Sequence, residues 1–140
     1  MDGHRINGQK RLKVFLGRYL QGVQRLKRLE NKLSILNDRI TSVKTPTLSG
    51  MPRGGSPVTI ADMIADKDDL IKRIDKLKKN NRKVKREITD KLDTLDNPFQ
   101  AEILEAHYID GLSFEQIGTN AGYTTRYIYQ VYSDALSVLQ

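Results

Sequence analysis

The stretch Leu12-KVFLGRYLQGVQRLKRLENKLSILNDRITS-Val43 decides the fold. A step alternating between three and four residues picks out Leu12, Phe15, Tyr19, Gly22, Leu26, Leu29, Leu33, Leu36, Ile40 and Val43, with Gly22 the one weak position. Apolar side chains at that spacing line a single edge of an α-helix and predict a coiled-coil seam. Arg11, Arg18, Arg25, Lys32 and Arg39 follow seven apart beside it, a cationic stripe expected to be a solvated helix edge.

The helix has to stop after Val43, because residues 44–57 pack three prolines and three glycines into fourteen positions. This is the expected connector. Ser56 followed by Pro57 suits an N-cap and first helical position, with Thr59 or Asp62 as other candidate starts. A second helix is then expected to about Leu95, with seam positions Met63, Lys67, Leu70, Ile74, Leu77, Asn81, Val84, Ile88, Lys91 and Leu95. Folding the two helices back on each other so that paired numbers total 103 brings Leu26 to Leu77, Leu33 to Leu70 and Phe15 to Ile88. The same register sets Gly22 opposite Asn81, Arg18 near Glu87 and Arg39 near Asp66, with one clash of Lys32 and Arg73. A polar residue such as Asn81 in a seam commonly fixes register or oligomer state. Three polar seam positions leave the hairpin with little to bury, so it is expected either to pack against the tail or, as the preferred outcome, to self-associate into a homo-oligomer, a dimer, through Leu26, Leu29, Leu33, Leu36, Leu70, Ile74, Leu77 and Asn81.

Of 140 residues, 38% are apolar and 29% charged, a supply that suits elongated helices with narrow apolar seams better than a thick single core. Without cysteine there is no disulfide framework, thiolate metal site or thiol nucleophile. Apolar runs of about three residues, as in Val14-Phe15-Leu16, are too short for a membrane span or a signal-peptide core, and the expectation is a soluble intracellular protein. His4 and His107 are the only histidines, and no phosphate loop or metal-ligand spacing occurs, so neither an enzyme nor a metal or cofactor site is expected. His107 reads as a packing or capping residue. The run Asp62, Asp66, Asp68 and Asp69 reads as a complement to a helix N-terminus rather than a cation site.

Charge is unevenly spread. Residues 1–56 hold 12 Lys+Arg and 3 Asp+Glu, residues 57–97 hold 11 and 9, and residues 98–140 hold 1 and 5. Basic surface attracts phosphate polymers, yet here it belongs to the first two thirds of the chain.

The last third carries the most specific pattern. Asn97-Pro98 ends the second helix and opens a short one with Phe99, Ile103, Leu104 and Tyr108 at helical spacing, stopped by Asp110-Gly111. Ser113 with Gln116 three residues on is a capping box, Gly122 offers the positive-φ stop, and Thr124 caps a last helix. A helix-turn-helix crossing needs a small residue in its first helix, a glycine at the turn and a β-branched residue in its second. Gly118, Gly122 and Ile128 meet that spacing, over an expected core of Leu112, Ile117, Ile128, Ala135, Leu136 and Leu139. The expected fold is therefore all-α: a basic coiled-coil hairpin over 1–96 followed by a small helix-turn-helix domain over 97–140.

From His107 to Gln140 this pattern, closing with Ala135-Leu136-Ser-Val-Leu139, resembles region 4 of bacterial sigma factors. With the coiled-coil start and the connector Pro46-Thr-Leu-Ser-Gly-Met-Pro-Arg-Gly-Gly55, nearly the whole chain resembles a phage and prophage family related to the ArpU and RinA late-gene regulators. The resemblance implies a phage-encoded transcriptional regulator that binds double-stranded DNA upstream of late genes in the cytoplasm of a bacterial host. Such a protein reads the major groove from the N-terminal half of its last helix, here about 124–140. With Ile128, Val131 and Ala135 turned inward, Thr125, Arg126, Tyr129, Gln130 and Ser133 are expected to face outward and Tyr127 to lie at the margin, and the capping Thr124 is counted with them as DNA-binding. Arg126 suits a fork onto guanine and Gln130 one onto adenine, while Ser113 suits a phosphate contact. Against this stands the charge: a tail with a single arginine neutralises almost no phosphate. Three alternatives stay open: a DNA reader helped by the basic helices, an adaptor that docks on RNA polymerase or another protein, and a structural coiled-coil partner.

Overall fold

A computed structural model of the chain describes the backbone of residues 2–44 and 59–140 and the side chains of residues 8–43 and 59–140. The described residues form five helices and no strand: α1 Asp2–Lys44, α2 Ile60–Leu92, α3 Pro98–Tyr108, α4 Phe114–Ala121 and α5 Thr125–Leu139. The fold is all-α. The expected connector, and with it Ser56 and Pro57, lies outside the described residues apart from Lys44. Thr59 is the cap seen at the start of α2, its hydroxyl accepting from the Asp62 amide at 3.1 Å. None of the described helices is long and apolar enough to cross a membrane.

The chain divides into two compact units, one of Met1–Val23 with Asn80–Gln140 and one of Gln24–Lys79. The division falls inside α1 and α2, not at 96/97, and the reason is a core that the tail shares with the ends of the long helices. Leu16, Ile88, Leu104 and Ile128 are all fully buried in it, together with Leu12, Val84, Leu92, Leu95 and the inner faces of α3, α4 and α5. Each such aliphatic side chain stabilises the fold by roughly 1.5–3 kcal/mol when fully buried.

That core corrects the seam at this end. Leu16, absent from the 3,4 pattern, is buried completely, and Leu92 is buried where Lys91, exposed, had been expected. A helix packed against several neighbours buries a stripe more than 100° wide, not the narrow edge of a coiled coil. Leu12 and Leu16, and then Val84, Ile88, Leu92 and Leu95, follow the wider stripe. The α2 helix also stops at Leu92, three residues early, in a turn where the Leu95 amide donates to the Leu92 carbonyl at 3.1 Å and Thr94 Oγ1 to the Lys91 carbonyl at 2.6 Å.

Within the same unit the Arg18 guanidinium reaches Glu87 at 3.2 Å, and a Cβ on Gly22 would run into the Asn81 carboxamide, only 2.8 Å from its Cγ. Asn81 is 7% exposed, and its Nδ2 has no hydrogen-bond partner. Gly22 thus makes room for the amide, and the amide is left underused. Gly22→Ala is expected to destabilise the protein by about 1–3 kcal/mol by overpacking. Asn81→Ala in the same chain is expected to recover most of that, because it opens the space and deletes an unpaired buried donor costing about 1–3 kcal/mol. Urea unfolding of both single variants and the double variant reads the coupling, and strictly additive losses would contradict the contact.

In the unit Gln24–Lys79 the burial is thinner. Ile40 and Ile74 are buried at 7% exposure each, while Leu26, Leu29, Leu33, Leu36, Leu70 and Leu77 are only half-buried. Lys32 and Arg39 of α1 share one groove with Asp66, Asp69 and Arg73 of α2. Asp69 there pairs with Arg73 at 3.3 Å, and of the acidic run only Asp62 lies in the first turn of α2.

Candidate functional site

The segment from Ser113 to Gln140 is held by a chain of local bonds that its residue types dictate. Ser113 Oγ accepts from the Gln116 amide at 3.1 Å and Gln116 Oε1 accepts from the Ser113 amide at 2.9 Å, a complete capping box opening α4. Gly122 ends α4 at φ +78°, a backbone conformation that only glycine adopts without strain. The Tyr123 amide then turns back to donate to the Gly118 carbonyl at 2.9 Å, and Thr124 opens α5 by accepting from the Tyr127 amide at 3.1 Å. The crossing is close because Gly118 has no side chain: a Cβ there would stand 2.7 Å from the Tyr123 carbonyl oxygen.

One face of α5 is spent on the core, with Ile128, Val131, Tyr132, Ala135, Leu136 and Leu139 all buried. The opposite face is open. Thr124, Thr125, Arg126, Tyr127, Tyr129 and Gln130 are exposed, as is Ser113 at the start of α4. Ser133 departs from the expectation: it is half-buried, since at 100° per residue it falls beside Tyr132 and Leu136 at the edge of the inner face. Tyr127, expected at the margin, is 45% exposed, with its ring stacked 6.3 Å from Phe99. Gln130 is not idle, because its Nε2 donates one N–H to Asp134 at 3.1 Å, which leaves its second N–H and its carbonyl oxygen.

Sequence reasoning missed the aromatic content of this region. Tyr123, 49% exposed in the turn itself, packs 4.9 Å from Tyr127 and 5.4 Å from Phe99, so the rim of the open α5 face is a cluster of rings. Tyr129 sets its edge against Phe114 at 5.6 Å. Beneath them Tyr108 and Tyr132 share a buried hydroxyl–hydroxyl bond of 2.6 Å, and burial together with that bond pushes the Tyr108 phenol far up, so it stays neutral. His107 stacks on Phe114 at 4.4 Å, and its Nδ1 donates to the Leu112 carbonyl at 2.8 Å, which ties α3 to the loop before α4. That is a packing role. The signal for Tyr132 lay in its place four residues after Ile128, on the same inner face.

The electrostatics follow the compact unit, not the tail alone. Arg126 is the only lysine or arginine of residues 98–140, but the shared core puts Lys10, Arg11, Lys13, Arg82, Lys83 and Arg86, all exposed, in the same unit. Arg18 is engaged with Glu87. Among the described residues no group of three or more His, Cys, Asp or Glu side chains is placed to hold a metal ion. Comparison with protein-family models, with curated proteins and with solved structures finds no match to the chain.

Proposed function

We propose that this chain is a sequence-specific DNA-binding transcriptional regulator, of the phage late-gene type that its sequence pattern resembles. It works without catalysis or cofactor in a bacterial cytoplasm, and as a homodimer. On this reading α1 and α2 form an antiparallel hairpin, and α4, the Gly122 turn and α5 form a helix-turn-helix whose last helix enters the major groove. What carries the reading is the open leading edge of α5, Thr124 to Gln130, fixed by the close Gly118 crossing. Arg126 and Gln130 read base edges, Thr125 and the tyrosine rims fill the groove, and Ser113 holds a phosphate. Lys and Arg side chains from the ends of α1 and α2 supply the counter-charge that the tail lacks.

Selection of bound sequences from a random duplex pool tests the reading directly: enrichment of one motif supports it, and an unenriched pool sinks it. A salt titration tests the division of labour. Arg11, Arg82, Lys83 and Arg86 changed together to glutamine are expected to weaken every duplex alike and to flatten the log–log salt slope by about 0.9 for each phosphate that is no longer neutralised. A steeper or unchanged slope would place the phosphate-binding side chains elsewhere.

A second reading, a protein-docking adaptor acting on RNA polymerase or another protein, is favoured by one observation. Between α3 and α4 lies a cleft of about 270 Å³ floored in part by Phe99, Ala106 and Leu112 and edged by the exposed carboxylates of Glu102, Glu105 and Asp110. No ion pair holds those three carboxylates among the described residues, and such an edge repels nucleic acid while suiting a basic polypeptide.

A further inference from the structure

The acidic side chains of the tail are not scattered. Residues 98–140 hold five, and four of them, Glu102, Glu105, Asp110 and Glu115, stand on the rims of two adjoining depressions that share Leu112 and Asn120. All four are exposed, and no ion pair holds any of them among the described residues. Glu102 and Glu105, three apart, are neighbours on one face of α3. Like charges gathered without counter-ions repel one another, and a cationic partner relieves that repulsion.

The larger depression, the cleft of about 270 Å³, is apolar within. Ile103 and Ile117 are buried beneath it, and Phe99 and Leu112 are half-buried in its wall. Its volume falls below that of pockets that enclose a small molecule and suits one bulky side chain of a longer segment. Tyr127, stacked at 6.3 Å, and Tyr123 at 5.4 Å hold the Phe99 ring in place, so the wall is preorganised. Tyr123, half exposed, adds a ring on which a guanidinium or ammonium can rest. None of the lining residues belongs to α5.

We propose that this cleft docks a basic segment of another protein, with one bulky apolar side chain seated in it and lysine or arginine on either side of that residue facing the carboxylates. The proposal rests on the second reading above, whose surface and partner chemistry it names, and it stands whether or not α5 reads DNA. A second copy is the poorer occupant, because a two-fold axis through the cleft sets carboxylate on carboxylate.

Peptides selected from a displayed random library on the full-length chain serve as the probe. Enriched sequences are expected to carry an apolar residue flanked by lysine or arginine. Their affinity, read by fluorescence anisotropy, is expected to fall about tenfold when Glu102→Gln, Glu105→Gln and Asp110→Asn are combined, three exposed changes that keep side-chain size. Asn120→Trp fills the cleft and leaves every carboxylate in place, and it is expected to weaken binding as much, with unchanged circular dichroism. Enrichment of acidic or uncharged peptides or of none, unchanged affinity in the neutralised variant, or unchanged affinity in Asn120→Trp would each overturn the proposal. So would a wild-type dimer, at twice the 16.0 kDa chain mass, that the neutralised variant returns to the chain mass, since a second copy then fills the cleft. Peptides lost on Arg126→Ala with Gln130→Ala, and kept by the neutralised variant, leave the docking reading standing and sink this surface alone.

Discussion

With Arg126 and Gln130 both changed to alanine, the protein is expected to keep its fold and its weak general affinity for duplex DNA while losing its choice of sequence. Both side chains are exposed and neither touches the core, and alanine favours α5 as a helix. A bidentate contact to a base edge is worth about 1–3 kcal/mol of discrimination, so the pair carries about 2–6 kcal/mol. That is a fall of between about thirty-fold and about twenty-thousand-fold in the ratio of motif to scrambled duplex, at 1.4 kcal/mol for each tenfold. Gln130 has first to share its amide with Asp134, so its single substitution is expected to cost less than that of Arg126. Fluorescence anisotropy on the two duplexes at one fixed salt concentration reads the ratio. An unchanged ratio in the double variant removes α5 from the groove.

Gly118→Val is expected to be the most damaging single change in the tail. Even alanine places a Cβ 2.7 Å from the Tyr123 carbonyl oxygen, a backbone atom pinned by its neighbours Gly122 and Thr124. Overpacking of that kind costs about 1–3 kcal/mol for one methyl, and valine adds two more carbons at the same point. Gly122→Ala serves as the comparison, since open space surrounds its Cβ and its cost, about 1 kcal/mol, comes from the positive φ alone. Melting followed by circular dichroism is expected to rank valine at 118 below alanine at 118, and alanine at 122 above both. Each kcal/mol lowers the midpoint by roughly 4–8 °C in a unit of this size. Equal midpoints for the two alanine variants would mean that the crossing is not close.

Local chemistry was the legible part of the chain. The caps at Asn97, Ser113 and Thr124 and the positive φ of Gly122 depend on residues a few positions apart, and each sits where its side chain or its missing side chain requires. The contact of Gly22 with Asn81 could also be read, because two weak layers in one repeat have to face each other if the rest of the seam is to close. Hidden from the sequence were the places where one helix serves two neighbours. Packing of the hairpin on the tail is one of its two expected outcomes, yet a one-dimensional 3,4 pattern does not mark the positions, Leu16 and Leu92, that end in the shared core. Among the site residues the outward turn of Thr125, Arg126, Tyr129 and Gln130 followed from helical geometry alone. The ring cluster around Tyr123 depends on Phe99, and the edge contact of Tyr129 on Phe114, both of which only tertiary packing brings near.

Because the buried cluster draws on α1 and on α5, its assembly waits until both have been made. Arg18 and Glu87 are 69 positions apart, and Ile128 and Leu139 emerge later still. Until α5 has been made, the cluster around Leu12 and Leu16 lacks Ile128, Val131, Ala135, Leu136 and Leu139. A nascent or nicked chain lacking α5 therefore exposes aliphatic surface that the folded unit hides, and such surface is what chaperones and proteases engage.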